Sequence, residues 1–416
     1  MFGLFSAVRM RGAMVGLTAA SVAAFALAAR PTEAATPRTA GLSAAPGTLI
    51  LAKPVSASAL PAGTTVYLVK YWSKSFPANK PVQVTGAVMI PSGTPPPDGW
   101  PVVSWAHGTD GMNGKCAASK LPGANLPSIN KLLGKGWVVV ATDYAGEGNP
   151  ALAPTTKGLH PYFVGTNSGR NAIDIVRAAR QLDAAHASSH YVVSGHSEGG
   201  QAAMFALEIA ARYAPELHLD GVVEQAVGSQ YVERAAAVST SSIWPLQFMI
   251  VGGFRAAYGK AADLSQVLTP TGIKLLPVLG KECIKSVYAA AEKAGGYKQV
   301  FKSTKIPAAW QTLLNQNDPF RFKVASGAPL LMIQGDQDQD SPATYSAALA
   351  KHLCAVHQDL ERWTYPGLDH TGILVHSGTF NDVDQWIADR FAGGPNPDPY
   401  VPIGNGNETV GTTICS

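Results

Sequence analysis

Five short runs of apolar residues recur along this 416-residue chain without alternating with polar residues. A strand that is apolar on both faces fits the interior of a parallel sheet with helices on either side. The stretches between the runs have helical spacing, as at 172–182, which follows the capping residues Thr166 and Ser168. The runs are 102–106, 137–142, 191–194, 221–227 and 330–334. This alternation predicts an α/β fold with a mostly parallel sheet, helices on both of its faces, and ligands at the carboxyl ends of the strands.

The region ahead of these runs has a different pattern. Residues 64–72 and 82–90 are rich in β-branched residues and are separated by Pro77 and Pro81, which predicts two antiparallel strands. Residues 36–61 are rich in Ala, Pro, Ser and Gly, so we expect an extended arm laid over the domain.

The motif GHSEGG at 195–200 directly follows an apolar run and directly precedes a run of helix formers from Gln201. A nucleophile elbow requires this context, because the turn is too tight for side chains at its glycine positions and exposes the serine at the strand end. A surface turn with a chance G-x-S-x-G pattern is the alternative. The flanking strand and helix favour Ser197 as a nucleophile on an α/β-hydrolase fold.

A serine hydroxyl needs a base to remove its proton, and in this fold an acid and then a histidine follow the serine along the chain. His370 lies in a loop after the predicted strand 360–365, and the nearest rival, His376, lies too far beyond that turn. Asp338 lies in the turn after the run 330–334, together with Asp336 and Asp340, which are the alternative acids or caps of the next helix. We predict the triad Ser197, His370 and Asp338.

An oxyanion hole needs backbone N–H groups directed at the negative charge of the transition state. The amide of Glu198 is one candidate donor, since it follows the nucleophile at a helix N-terminus. The second is expected from the glycine-rich loop 107–111, where either Thr109 or Asp110 supplies it. The alternative is an ordinary glycine-rich turn.

The interval between Ser197 and Asp338 is 141 residues, and two strand–helix units of about 30 residues each fill less than half of it. We therefore predict a helical cap inserted over the carboxyl edge of the sheet at 230–319, between a first core segment at 36–229 and a second at 320–416 that includes the C-terminal tail. Its apolar residues either line an acyl tunnel or form the cap's own core. These residues are Trp244, Phe248, Met249, Ile250 and Phe254.

The first 35 residues have the pattern of a secretory signal peptide. Arg9 and Arg11 precede an apolar stretch at 12–29, and Ala26 and Ala28 form a small-residue cleavage site. An uncleaved anchor is the alternative, because the stretch approaches the roughly 18 residues that span a bilayer. No later segment is apolar enough to span, so we expect a secreted protein, extracellular or periplasmic, without stable membrane insertion.

Four cysteines fit an oxidising compartment, where an even number usually forms disulfides. They are Cys116, Cys283, Cys354 and Cys415. None has the short spacing of a zinc or redox site, and their positions alone allow three pairings. The net charge is +4 with 14% charged residues and no basic run, which disfavours a nucleic-acid partner.

Several motifs together resemble the secretory lipase family of the α/β-hydrolase superfamily. They are WAHGT (105–109), DYAGEG (143–148), GHSEG (195–199), G-x-x-D (335–338) and DH (369–370), and the resemblance extends over 68–387. It implies the triad Ser197, Asp338 and His370 and a second oxyanion donor near Asp110. It also implies disulfides Cys116–Cys283 and Cys354–Cys415. The family contains both lipases and plain esterases, and Glu198 departs from its pattern by adding a charge beside the oxyanion site.

These observations predict a carboxylic ester hydrolase that forms an acyl-enzyme on Ser197 and needs neither a metal nor an organic cofactor. Its partner is an ester, including lipid at an oil–water interface. A secreted serine peptidase of the same fold is one alternative, disfavoured because no charged anchor for a peptide terminus is evident. A non-catalytic binding protein is the other, disfavoured because nucleophile, base, acid and oxyanion loop occur together.

Overall fold

The computed structural model describes residues 44–122, 127–395, 398, 400–406 and 409–415. The predicted signal peptide, residues 1–35, lies outside these ranges, as does part of the predicted arm. Among the described residues, no helix is long and apolar enough to cross a membrane.

Ten strands of the described chain form a single sheet. They are β1 (Leu49–Val55), β2 (Thr65–Lys74), β3 (Pro81–Ile90), β4 (Trp100–Ala106), β5 (Val138–Thr142), β6 (Ala187–His196), β7 (His218–Gln225), β8 (Leu330–Gly335), β9 (Leu360–Tyr365) and β10 (Gly411–Cys415). Their order across the sheet is β1-β2-β3-β5-β4-β6-β7-β8-β9-β10. The pairs from β5 to β9 are parallel, whereas β1, β2, β3 and β10 are antiparallel to their neighbours. The predicted mixed, mostly parallel sheet is confirmed.

Twelve α-helices connect and cover these strands in the described residues. They are α1 (Pro127–Gly134), α2 (Gly165–Arg180), α3 (Glu198–Tyr213), α4 (Tyr231–Val238), α5 (Trp244–Tyr258), α6 (Pro270–Leu275), α7 (Ile284–Lys293), α8 (Tyr297–Val300), α9 (Ala308–Gln316), α10 (Ala343–Ala355), α11 (Gly372–Val375) and α12 (Ser377–Phe391). One face of the sheet packs on α2, α3 and α10, and the other on α1 and α12. Strands covered on both sides must be apolar on both, as every residue of β8 is buried.

The helices α4–α9 lie between β7 and β8, in the region predicted to be a cap. Their shared core includes Phe248, Phe254 and Trp310, and it continues into Met112 and Tyr162 from the loops at the carboxyl edge of the sheet. The boundaries 230 and 319 remain predictions, but the helical, apolar character of this region accounts for the long interval between Ser197 and Asp338.

Two local predictions were wrong, and one strand was not predicted. α2 begins at Gly165, so Thr166 and Ser168 lie inside its first turn; Val164 occupies the cap position, and the Gly165 N–H instead donates to Asn317 Oδ1 at 3.0 Å. Residues 49–55 form an edge strand rather than an extended arm, paired with β2. The C-terminal tail, for which no strand was predicted, contributes β10 beside β9.

Candidate active site

Ser197 lies between β6 and α3 in a strained backbone conformation, with φ +56° and ψ −112°. Positive φ is rare for a residue with a side chain, and it persists only where the surrounding structure enforces it. Here the Ser197 N–H donates to the Gln225 carbonyl at 2.8 Å, which ties the turn to the end of β7. The turn therefore presents the serine at the carboxyl edge of the parallel sheet.

Two glycines make this turn possible. A Cβ at Gly195 would collide with the Gly199 carbonyl, and a Cβ at Gly199 would collide with the carbonyl of Ala106 at the end of β4. Any larger residue at either position would push α3 away from the strand ends. The predicted elbow geometry is therefore present at GHSEGG.

His370 and Asp338 come together from the loops after β9 and β8. Asp338 Oδ2 lies 2.9 Å from His370 Nδ1. The Asp338 side chain is fully buried, whereas His370 retains 15% exposure. Three more donors hold the carboxylate: the N–H groups of Asp340 (2.9 Å) and Ser341 (2.7 Å) and the Gln334 amide (3.1 Å). This arrangement leaves His370 Nε2 as the nitrogen that can act as a base.

His196 forms a hydrogen bond with the backbone of the His370 loop. Its Nε2 lies 2.7 Å from the His370 carbonyl oxygen, and the two rings pack with centroids 4.6 Å apart. A carbonyl only accepts, so the proton of His196 lies on Nε2. Burial, and then the neighbouring His370, lower the pKa of His196 to about 3, which keeps its ring neutral. Sequence reasoning missed this residue, although it occupies the variable position of the elbow motif.

The rival residues have other contacts. Asp336 accepts a hydrogen bond from the Gly367 N–H at 2.7 Å and joins the loop after β8 to the loop after β9. Neither Asp336 nor Asp340 caps α10, which begins after Pro342 without a side-chain cap, so the capping alternative was wrong. His376 lies at the start of α12 and contacts Thr379.

The glycine-rich loop after β4 lies beside Ser197. Thr109 and Asp110 both line a cleft that also contains Ser197 and His370. Thr109 Oγ1 lies 2.7 Å from the Tyr162 hydroxyl, and the Asp110 carbonyl accepts from the Ile284 N–H at 2.9 Å. Burial raises the pKa of the Asp110 carboxyl. The loop is thus anchored at two residues, and the choice between them as oxyanion donor stays open.

Glu198 begins α3, where N–H groups lack intrahelical acceptors, so its amide is suited to an oxyanion. Its side chain is buried and lies outside the lining of the cleft, with Oε1 2.6 Å from His160 Nε2. The Glu198 carboxyl thus points into the protein interior toward His160, while its effect as a charge beside the oxyanion site stays a prediction. His160 Nδ1 faces the Ala145 carbonyl at 2.9 Å and must donate to it. The Glu198–His160 contact consequently shares one proton.

The DYAGEG block, which had no role derivable from sequence, supports the oxyanion loop. The Tyr144 hydroxyl donates to the His107 carbonyl at 3.0 Å, and its ring lies between the rings of His107 and His160. Asp143 is buried and accepts from the Ser119 N–H at 2.7 Å. Through Tyr144 and His160, the block therefore connects the 107–111 loop to the start of α3.

Glu147 completes this buried cluster. Its Oε2 lies 3.6 Å from His107 Nε2, and no described group hydrogen-bonds either of its oxygens. Burial, and then the charge of Glu198, raise the pKa of Glu147 well above its usual value. His160 and Glu147 are separated in sequence from their partners, which is why spacing alone did not reveal the cluster.

Two cavities meet at Ser197 and His370. The first, of about 130 Å³, runs into the cap, and most of its wall is apolar. Ile250 lines it, as predicted for an acyl tunnel, whereas Trp244, Phe248, Met249 and Phe254 lie outside its lining and pack in the cap's own core. Further lining residues are Ala235, Val238, Ile243, Leu246, Val267 and Ile306.

The second cavity is the open cleft bordered by the oxyanion loop. It has a volume of about 750 Å³ and carries Lys115, Lys120 and Tyr288 on its walls. Ser197 therefore lies between a narrow, mostly apolar cavity on one side and a wider, partly polar cleft on the other.

Two disulfides frame the site. Cys116 is bonded to Cys283, which joins the segment after the oxyanion loop to the start of α7. Cys354 is bonded to Cys415, which joins the end of α10 to β10. These are the two pairs that the resemblance implies, and the described chain has no free cysteine.

Comparisons with known proteins place this geometry in context. A probable inactive lipase of Mycobacterium tuberculosis is 24% identical over 86% of this chain and 81% of its own. A rice cell wall degrading esterase of Xanthomonas oryzae is 19% identical, covering 83% of this chain and all of its own, with a TM-score of 0.69. Lipase A of Candida antarctica is 18% identical, covering 86% of this chain and 84% of its own, with a TM-score of 0.71.

The two solved structures share the fold at an identity too low to transfer a substrate. The family model is more specific, because it matches residues 116–398, which is more than half of the chain and includes the elbow, the helices between β7 and β8 and the acid–histidine loops. The chain therefore belongs to the secretory lipase family.

Proposed function

We propose that this protein is a carboxylic ester hydrolase that acts on lipid esters through an acyl-enzyme on Ser197. His370 takes the serine proton through Nε2, and Asp338 orients the imidazole and stabilises its charged form. The amide of Glu198 and an amide of the 107–111 loop bind the oxyanion. The protonated His370 then gives its proton to the leaving alcohol, and water, deprotonated by His370, releases the acid.

A single observation supports this proposal most strongly. Ser197, His370 and the buried Asp338 meet where a narrow apolar cavity enters the cap. An apolar cavity beside a nucleophile favours the binding of an acyl chain, because its burial removes about 0.8 kcal/mol of unfavourable hydration per CH₂. The wall of this cavity also includes the charged residues Arg234, Lys305 and Asp340.

The two cavities suggest where the acyl and alcohol parts of the ester bind. We assign the single acyl chain to the narrow cavity and the alcohol to the wider cleft, whose Lys115 and Lys120 suit a polar group. The substrate class is thus an ester of a linear fatty acid with a bulkier, polar alcohol, a description that includes partial glycerides.

The Mycobacterium tuberculosis relative is named as a probable inactive lipase. In the present chain the strained serine and the His370–Asp338 contact occur together, beside both candidate oxyanion elements. Maintaining such buried and strained features favours catalysis over binding alone. The family and the two disulfides also fit an extracellular protein.

The test is hydrolysis of p-nitrophenyl esters from acetate to palmitate, and of an emulsified triglyceride, by the mature protein and Ser197→Ala. We expect turnover that Ser197→Ala abolishes and that extends beyond acetate. Ile250→Trp, which fills the cap cavity, should reduce kcat/KM for long acyl chains and spare acetate. Lys120→Ala, on the cleft, is the matched control and should leave the acyl-length profile unchanged.

A fluorophosphonate probe on Ser197 separates two negative results. Labelling without ester turnover would redirect the search to peptide substrates of the same triad. Neither labelling nor turnover would reject catalysis and leave a binding protein.

A further inference from the structure

Two histidines and an aspartate meet at the opposite end of the sheet from Ser197. His190 Nδ1 lies 3.0 Å from Asp220 Oδ1, and His218 Nδ1 lies 2.7 Å from the same oxygen. The rings of the two histidines are 4.6 Å apart. One possible ligand atom from each residue lies within 4.8 Å of the others. Neither the sequence motifs nor the ester chemistry uses this cluster.

The strands explain why these side chains converge. His190 and His218 are direct neighbours in the parallel β6–β7 pair. Asp220 follows His218 by two residues, where the register of β6 and β7 shifts between Tyr191 and Val192, and its carboxylate lies within hydrogen-bond distance of both imidazoles. Two paired strands hold all three residues, which makes the cluster a preformed arrangement rather than a chance approach of loops.

The donor set suits a transition metal. Imidazole nitrogen together with one carboxylate oxygen is a combination that Zn²⁺ accepts, with bonds of about 2.0–2.2 Å. Tetrahedral ligands on such an ion lie about 3.3 Å apart, close to the 3.0 and 2.7 Å between the Asp220 oxygen and the two nitrogens. Small side-chain movements would admit the ion, and water would complete its coordination.

Exposure also fits a site that loads from solution. The His190 and His218 side chains are 53% and 67% exposed, whereas Asp220 is 7% exposed. The described contacts of the Asp220 carboxylate are with these two imidazoles, without a Lys or Arg. An ion would replace the two imidazole protons that now face this oxygen.

We propose that His190, His218 and Asp220 form a binding site for a divalent transition-metal ion, with Zn²⁺ as the best match. The ion crosslinks the amino ends of β6 and β7. From His190 to Ser197 β6 extends roughly 23 Å at about 3.3 Å per residue, so the ion stabilises the fold and takes no part in ester cleavage. The site is independent of the proposed function.

The test uses the mature protein, free of any affinity tag and stripped with a chelator. Zn²⁺ binding is measured by competition with a chromophoric indicator, and thermal unfolding is followed with and without Zn²⁺. We expect one ion per chain at this site and a higher Tm with Zn²⁺. His218→Asn and Asp220→Asn should weaken binding by roughly 10- to 100-fold or more, as losses around metal sites do, and should remove the Tm increase.

His357→Asn is the matched control, since His357 is an exposed histidine outside the cluster and Asn tolerates its positive φ of 62°. Equal affinity in wild type and both variants, or no binding by the wild type, would overturn the proposal. If the variants do not fold, Co²⁺ is added to the wild-type protein instead. Visible absorption typical of nitrogen and oxygen ligands would support the site, and no such absorption would reject it. A change in kcat on adding Zn²⁺ would also reject a purely structural ion.

Discussion

The carboxylate of Asp338 accepts hydrogen bonds from four donors, of which His370 Nδ1 is one. Asn at this position keeps the shape but presents an amide to His370 and favours the wrong tautomer. We expect Asp338→Asn to lower kcat for ester hydrolysis by about 10³- to 10⁴-fold, measured with a p-nitrophenyl ester at saturation.

Asp340→Asn is the matched control for Asp338→Asn. Asp340 lies on the wall of the cavities, and its backbone N–H, not its side chain, contacts Asp338. Its kcat should stay within several-fold of wild type. A larger loss of kcat in Asp340→Asn than in Asp338→Asn would show that Asp338 is not the acid of the triad.

Glu198 offers a second test at this scale. In Glu198→Gln, the new amide can donate to His160 Nε2 while His160 Nδ1 still donates to the Ala145 carbonyl, so the contact survives with a neutral histidine. We expect Glu198→Gln to retain stability and activity within several-fold. Glu198→Ala leaves the imidazole unpaired in the interior and should lower the free energy of unfolding by about 3 kcal/mol, measured by urea denaturation.

If Glu198→Gln lowered the free energy of unfolding as much as Glu198→Ala, the negative charge of Glu198 itself would be required. That outcome would replace the shared-proton description with an obligatory ion pair.

Individual residues of the site differed in how far sequence could predict them. Ser197 and His370 follow from the elbow motif and the chain order of this fold, because strand ends bring such loops together. Asp338 was one of three candidate acids in its turn, and only the four hydrogen bonds that its carboxylate accepts in the structure distinguish it from Asp336 and Asp340. His160 pairs with Glu198 across 38 residues, and no local pattern records a contact of that kind.

At the scale of single elements, β7 carries a buried acid whose protonation affects stability. Glu224 is buried, and burial raises its pKa to about 8. The folded state therefore keeps this proton between pH 4.5 and 8 while the unfolded state releases it, so the contribution to stability is lost as pH rises through this window. Glu224→Gln carries no such proton and can still accept from the Val227 N–H.

We expect Glu224→Gln to match the wild type near pH 4.5 and to exceed it increasingly toward pH 8. The gain is at most about 1.4 kcal/mol per pH unit, measured from denaturant unfolding at several pH values. A difference that does not vary with pH would mean that Glu224 titrates normally in the fold.

Elements with a strong apolar pattern were predicted within a few residues, and weakly patterned elements were missed. The run 330–334 became β8, since a strand covered on both faces leaves a continuous apolar segment. β1 was hidden in a stretch rich in Ala and Pro, and it includes Pro54. β10 is exposed at four of its five residues, and its sequence GTTIC has no inward-facing apolar side. Edge strands rely on backbone pairing, which sequence patterns do not report.

At the scale of the whole molecule, we expect removal of either disulfide to lower stability, but removal of only one of them to affect ester hydrolysis. Removing either disulfide raises the conformational entropy of the unfolded chain and should lower the free energy of unfolding by about 2–5 kcal/mol. Cys116–Cys283 also joins the segment beside the oxyanion loop to the start of α7, so Cys116→Ala/Cys283→Ala should reduce kcat/KM as well. The measurements are thermal unfolding and ester kinetics below the transition.

Cys354→Ala/Cys415→Ala provides the comparison, because this pair lies at the sheet edge away from the cavities. It should unfold at a lower temperature while keeping its kcat/KM. Equal kinetic losses in both double variants would show that the first disulfide has no special link to the site.

The Cys354–Cys415 bond also attaches the edge strand β10 to α10. β10 is a short, exposed strand that covers β9, whose residues are mostly buried. If β10 detached, the backbone of β9 would become an open sheet edge able to pair with another molecule. Loss of this one bond is therefore expected to promote edge-to-edge self-association, so an oxidising environment would protect the protein from aggregation.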